Sequence, residues 1–260
     1  MKNAILENRN IFDVTDKIVI VSGSGSGLGR GYSHMFAESG ATVICCDVNE
    51  DNVKQTAADI NADGGKAFAY YCDVTDINSI KEFVDAVYEK FGRIDVLVNN
   101  AGREHVEPYL EVSPEHWDMI INVNLRGAFF MAQAVANYMK EQKSGKIINI
   151  GSLGAHIGIA LSSVYTAGKG AVMTYTKTMA LELAEYNIQV NSISPGYYLT
   201  PMTQPFWDDP VRREWTLKHI PLGRAGTVKD LSGAMLFLAS EASDYMTGID
   251  IIVDGGWLAS

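Results

Sequence analysis

The chain has 260 residues, 47% of them hydrophobic and 20% charged, with a formal net charge of −10. That balance supports a core that needs no staples and argues against nucleic acid as a partner. Cys45 and Cys46 are adjacent and Cys72 lies far away, so the three cysteines fit neither a disulfide scaffold nor a metal-ligand spacing.

The start, "MKNAILENRN", is charged and lacks the apolar stretch of a signal peptide, so residues 1–10 read as a polar extension. No run of 18 apolar residues occurs, so no membrane span and a cytoplasmic location are expected. Strand and helix patterns then alternate. "KIVIVSG" (17–23) is a short β-branched run ending at glycine, which suits a buried parallel strand. Residues 28–40 carry Leu28, Tyr32, Met35 and Phe36 at helical spacing, stopped by Gly40. A strand is expected over 41–47, a helix over 51–63, a strand over 66–72, a helix over 78–91 and a strand over 93–102. Ser113 and Pro114 suit the cap and first position of a helix running to about Lys143, with a possible bend at Gly127. Strand 145–152, helix 164–184 and strand 188–196 follow. Residues 197–227 hold four prolines and two tryptophans without clean periodicity, the mark of a substrate lid or binding loop. A helix over 228–240 and a strand over 248–256 complete the chain.

No composition break or repeat divides it, so a single domain over 1–260 is expected. Strict β–α alternation points to an α/β fold: a doubly wound Rossmann-type domain with a seven-stranded parallel sheet and helices on both faces. A barrel would need eight β/α units. The turn after the first strand, "SGSGSGLGRG", favours the open sheet. It does not satisfy G-x-G-x-x-G but satisfies G-x-x-x-G-x-G through Gly23, Gly27 and Gly29, and it lacks the Gly-Lys-Ser/Thr of a Walker loop. Joining the first strand to the first helix, it suits a pyrophosphate at a helix N-terminus. Asp47 ends the second strand, placed to accept from ribose hydroxyls and to repel a 2′-phosphate. NAD(H) is therefore expected over NADP(H), with Arg30 the residue that could instead favour a phosphate.

From about residue 12 to the end the chain resembles the short-chain dehydrogenase/reductase family. The resemblance rests on the ordered set of the glycine turn 22–29, "CDVTD" (72–76), "NNAG" (99–102), "NVN" (122–124), Ser152, the Tyr165/Lys169 pair, "PG" (195–196) with Thr200, and "VDGG" (253–256). It implies that Tyr165 is the acid/base, that Lys169 lowers its pKa and binds nicotinamide ribose, that Ser152 orients the carbonyl, and that Asn124 holds a water in a proton relay. It implies cofactor contacts from Ser22, Gly23, Ser26, Gly27, Leu28, Gly29, Asp47, Asp73, Val74, Asn100, Ala101, Gly102, Pro195, Gly196 and Thr200. Two positions depart from the family pattern: Ser22 stands for the usual threonine and Gly168 for the usual serine.

The Tyr165/Lys169 spacing has a physical sense. A free tyrosine ionises near pH 10, and a cation about 4 Å away is worth on the order of 4 kcal/mol, or roughly three pKa units. Lys169, one helical turn from Tyr165, is expected to draw the phenol toward working pH. The scheme needs no metal.

The C-terminal half resembles the sugar and sugar-acid branch, including gluconate 5-dehydrogenases and deoxy-keto-gluconate dehydrogenases. That branch often places two arginines after "NNAG"; here only Arg103 follows, then Glu104 and His105. A sugar acid, a sugar and a polyol therefore all stay open as substrate, with Arg103, His105, His156 and Tyr197 as candidate contacts. The alternatives are a ketoacyl or hydroxysteroid reductase of the same family and a catalytically silent nucleotide-binding scaffold. The resemblance also implies a homotetramer through helices 113–143 and 164–184 and the C-terminal tail.

Overall fold

A computed structural model describes residues 10–260; all but the last residue of the expected N-terminal extension lies outside the described residues. Seven parallel strands form one sheet in the order β3-β2-β1-β4-β5-β6-β7. They are β1 (Ile18–Ser22), β2 (Thr42–Asp47), β3 (Lys66–Tyr71), β4 (Val96–Asn99), β5 (Gly145–Ile150), β6 (Ile188–Pro195) and β7 (Asp250–Val253). Apolar alternation along the strands feeds two cores. Val19, Val21, Val43, Val96 and Ile148 meet α1 (Gly27–Glu38), α2 (Glu50–Ala62) and α9 (Val228–Ala239) on one face. Ile18, Ile20, Ile44, Leu97 and Ile147 meet α3 (Ile77–Phe91), α5 (Ala128–Gln142) and α6 (Ser163–Leu183) on the other. Strands buried on both faces read as continuous apolar runs, which is why they were legible.

The predicted helix over 113–143 is three pieces. Ser113 accepts the His116 N–H as N-cap of α4 (Pro114–Ile121), a π-helical turn spans Asn122–Gly127, and α5 follows. Gly127 is required there: a Cβ on it would lie 2.6 Å from the Val74 carbonyl oxygen. By length and composition alone the rod Pro114–Gln142 could cross a membrane. In the fold its residues Met131, Ala132, Val135 and Met139 are core residues packed under the sheet.

The segment 197–227 is less irregular than its sequence. It contains α7 (Gln204–Asp208) and α8 (Pro210–His219). Pro205 and Pro210 begin these helices rather than break them, because an early helical position has no partner for the missing N–H. Of the ten residues of α8 only Thr216 is buried, so no apolar stripe announces it.

The strand order reverses between β1 and β4, whose connections leave the sheet in opposite directions. The crevice outside their carboxyl ends is where such sheets take ligands.

Candidate active site

The turn after β1 and the turn after β4 are built on each other. The Ser22 hydroxyl accepts the N–H groups of Asn100 (3.0 Å) and Ala101 (3.1 Å). Asn100 Nδ2 donates back to the Ser22 and Gly23 carbonyls. The hydroxyl that replaces threonine at position 22 thus performs a latch that any β-hydroxyl can. The glycines are forced by proximity. A Cβ on Gly29 would lie 2.2 Å from the Gly23 carbonyl oxygen, and Gly23 and Gly27 hold φ of +66° and +54°. Ser26 caps α1 without a side-chain hydrogen bond, so the first-turn N–H groups are claimed by no capping side chain. This is a cradle fit for a pyrophosphate.

A cleft of about 310 Å³ opens from this cradle, lined by Gly23, Ser26, Gly27, Leu28, Asp47, Asn100, Gly102, Ser152, Tyr165, Lys169, Pro195, Gly196 and Thr200. Asp47 Oδ2 accepts the Gly25 N–H and Oδ1 the Asn49 N–H, both at 2.9 Å. A carboxylate has about four acceptor sites, so it can also take ribose hydroxyls. Arg30 is not aimed at the cradle: its Nη2 lies 2.6 Å from Asp59 Oδ2.

Ser22, Gly29 and Ala101 support the cleft without lining it. Asp73 and Val74 lie beyond the end of β3, and the Asp73 carboxylate accepts the Thr75 N–H and hydroxyl. Asn124, 1% exposed, spends both amide atoms on the backbone of Arg103, accepting its N–H at 2.8 Å and donating to its carbonyl at 2.9 Å. It holds the β4–α4 loop in place from the π-helical turn.

Tyr165 and Lys169 project from α6, and Ser152 follows β5. Lys169 is 4% exposed and its ammonium donates to the Ile150 carbonyl at 2.7 Å, with Nζ 5.8 Å from the centroid of the Tyr165 ring. Burial pushes the Tyr165 phenol up to about 12, against a hydrogen bond with Ser152 that favours its ionised form. Burial pushes the Lys169 ammonium down to about 8, with the Glu104 carboxylate opposing. The expected lowering of the phenol pKa is therefore absent from the chain alone: both groups lose hydration, and that loss dominates. Gly168 has room for the usual serine, since a Cβ there would meet Ile121 only at 3.4 Å.

The candidate substrate residues separate. His156 Nε2 lies 2.7 Å from Asp250 Oδ2, which ties it to β7. Tyr197 packs against Phe206, Trp207 and Trp257. Trp207 is buried and anchors its segment by donating to the Tyr198 carbonyl. His105 packs against His116 with ring centroids 4.0 Å apart and planes tilted by 41°. Arg103 is exposed. Glu104 stands out in the sequence only as the residue that follows Arg103. It accepts the Ser162 hydroxyl, three residues before Tyr165, and its charge acts on Tyr165, Lys169 and Tyr197. Ile150, Gly151, Tyr198, Pro201, Met202 and Thr203 also line the cleft. No motif marks Met202 or Thr203, whereas Gly25 could have been found by asking which glycine faces Asp47.

Fold and cleft define a Rossmann-type α/β protein with a dinucleotide cradle at its switch point. Residues 23–258 match the family model described as enoyl-(acyl carrier protein) reductase. The chain is 42% identical to the 3-oxoacyl-[acyl-carrier-protein] reductase FabG of Thermotoga maritima, over 92% of this chain and 97% of that one. It is 40% identical to the 2-dehydro-3-deoxy-D-gluconate 5-dehydrogenase of Dickeya dadantii, over 96% and 98%. The structure of a gluconate 5-dehydrogenase from Burkholderia cenocepacia in complex with NADP and tartrate superposes with a TM-score of 0.93 at 36% identity, covering 96% of this chain and 98% of that one. The chain belongs to the short-chain dehydrogenase/reductase family and is an oxidoreductase acting on a CH–OH group.

Proposed function

We propose that this enzyme is an NAD(H)-dependent dehydrogenase that interconverts a secondary alcohol and a ketone on a gluconate-type sugar acid. The observation that carries the reading is the meeting of Ser152, Tyr165 and Lys169 with Asp47 and the glycine cradle in one cleft. The substrate class is drawn from the sugar-acid relatives and from the exposed guanidinium of Arg103, which is free of ion pairs among the described residues.

A bound nicotinamide supplies the hydride-exchanging ring and, when oxidised, a positive charge. Gly23, Ser26, Gly27, Leu28 and Gly29 would hold the pyrophosphate, Asp47 would accept from the adenosine ribose, and Asp73 and Val74 would contact the adenine. Asn100 and Gly102 line the cleft with Ala101 supporting them from behind, and Pro195, Gly196 and Thr200 would meet the carboxamide. Ser152 holds the substrate oxygen. Tyr165 gives a proton to that oxygen in reduction and removes it in oxidation. Lys169 fixes the nicotinamide ribose and adds positive charge beside the phenol. Asn124 fixes the loop that carries Arg103, and the second lone pair of its Oδ1 is left for a relay water. Residues 197–227 close over the substrate as a lid. The exposed Trp117, Phe129 and Leu181 on α4, α5 and α6, and Tyr245 and Ile252 at the β7 edge, suit a homotetramer.

A second reading, an uncharged sugar or polyol, is favoured by Glu104, whose charge beside Tyr165 and Lys169 repels a substrate carboxylate. Comparing kcat/KM for aldonates, polyols and a 3-oxoacyl thioester, each with NAD(H) and NADP(H), tests the proposal. Aldonates with NAD+ should lead. Polyols leading selects the second reading, and a thioester leading overturns both. Asp47→Ser should raise the NADP(H)/NAD(H) ratio by about tenfold or more, since a carboxylate no longer faces the 2′-phosphate.

A further inference from the structure

His105 and Glu107, on the loop between β4 and α4, meet His116 in the first turn of α4. Their donor atoms all lie within 4.8 Å of one another. His116 Nδ1 is 2.8 Å and His105 Nε2 3.8 Å from the same carboxylate oxygen, Glu107 Oε2. The reaction scheme uses none of the three as acid, base or cofactor contact.

We propose that His105, Glu107 and His116 form a binding site for one first-row divalent transition metal of the Zn²⁺ class. Two imidazoles and a carboxylate suit zinc, nickel or cobalt far better than magnesium or calcium, which prefer all-oxygen shells. Metal–ligand bonds of about 2.0–2.2 Å place neighbouring donors roughly 3–3.5 Å apart. The site therefore needs only a small inward turn of His105. Two further features ask for a cation. Glu107 is buried to 11% exposure, and its Oε1 has no hydrogen-bond partner among the described residues. The two imidazoles lie with ring centroids 4.0 Å apart and planes tilted by 41°, and each directs a nitrogen toward the same carboxylate oxygen, so one ion can take a donor from all three. Both histidine side chains are 40% exposed, which leaves an entry path and open positions for water. The site is not legible in the sequence, because H-x-E on a loop completed by a helical histidine matches no standard spacing.

Occupied, the site ties the β4–α4 loop to α4. That loop also pairs with the segment before α6 through the Glu107 N–H and the Leu161 carbonyl at 2.9 Å.

The test is calorimetric titration of the untagged, chelator-treated full chain with Zn²⁺, alongside Co²⁺ titration followed by its visible absorption. One equivalent should bind, with Co²⁺ giving a low-coordinate spectrum, and Mg²⁺ should bind at least 100-fold more weakly. His105→Gln, Glu107→Gln and His116→Gln should each weaken Zn²⁺ at least tenfold, while His219→Gln leaves it unchanged. His105→Gln changes an exposed side chain, so its fold can be checked by circular dichroism before titration. Absence of stoichiometric binding overturns the proposal, as does binding that survives all three substitutions.

Discussion

A buried lysine stands at each end of β5, one on the strand itself and one reaching in from α6, and the two ends treat it differently. Lys146, at the amino end, is 7% exposed and pairs with Asp244 at 2.7 Å. Lys169 packs at the carboxyl end, 4% exposed, and its ammonium finds the Ile150 carbonyl instead of a carboxylate. Burial pulls both pKa values down, but at Lys146 a carboxylate in hydrogen-bond contact opposes it, while at Lys169 the opposing charge among the described residues is Glu104, which makes no hydrogen bond to it. A buried cation is kept without a paired counter-charge where its charge is needed for something other than the fold. The end of the sheet that faces the cleft gives up stability that the other end retains.

The largest effect should come from Tyr165→Phe, which removes one hydroxyl at the cleft end. Turnover should fall by roughly 10²–10⁴-fold, the usual share of general acid–base catalysis, while cofactor affinity by fluorescence titration stays within a few-fold. Near-normal turnover would sink the assignment. The pH dependence follows from the same end. With the phenol near 12 in the chain alone, alcohol oxidation should rise with pH above neutrality, and carbonyl reduction, which uses the protonated phenol, should be favoured at neutral pH. A pH–rate profile for oxidation that is flat from pH 6 to 10 counts against this assignment.

Lys169→Met should abolish turnover and yet raise the melting temperature of the free protein. Removing an ammonium that burial disfavours is expected to stabilise by about 1–3 kcal/mol. The sign also fixes a pH window. The folded pKa of about 8 lies below the unfolded value. The penalty is therefore complete below pH 8 and fades as pH rises toward about 10.4, where the unfolded chain also loses the proton. The melting-temperature gap between Lys169→Met and the unaltered chain should narrow from pH 7 to pH 10, and a constant gap would place the cost elsewhere. The smallest effect belongs to the other end. Asp244 is 64% exposed, so Asp244→Asn should lower stability by only about 0.5–1 kcal/mol in thermal melts, with kcat unchanged. A change in kcat would dissolve the contrast between the two ends.

What the sequence alone determined follows from signals that are local. The five inner strands were legible because burial on both faces makes each a short apolar run, whereas the edge strands β3 and β7 are only partly buried and were placed by their alternation with helices. The glycine turn, Asp47 and the Tyr165/Lys169 pair could be singled out because each is marked by backbone geometry or by one helical turn of spacing, while Ser152 came only from the family resemblance; the structure brings all of them to one cleft. The helices of 197–227 were not, since Pro205 and Pro210 start them and α8 carries no apolar stripe. Only the tertiary structure decided matters between residues far apart in the chain. It turned Arg30 toward Asp59, gave His156 to Asp250, brought Glu104 to Ser162 beside the cleft, and gathered His105, Glu107 and His116. It also reversed the expected pKa shift of Tyr165. Spacing along a helix reports that an ammonium is near, but desolvation depends on every atom packed around the phenol.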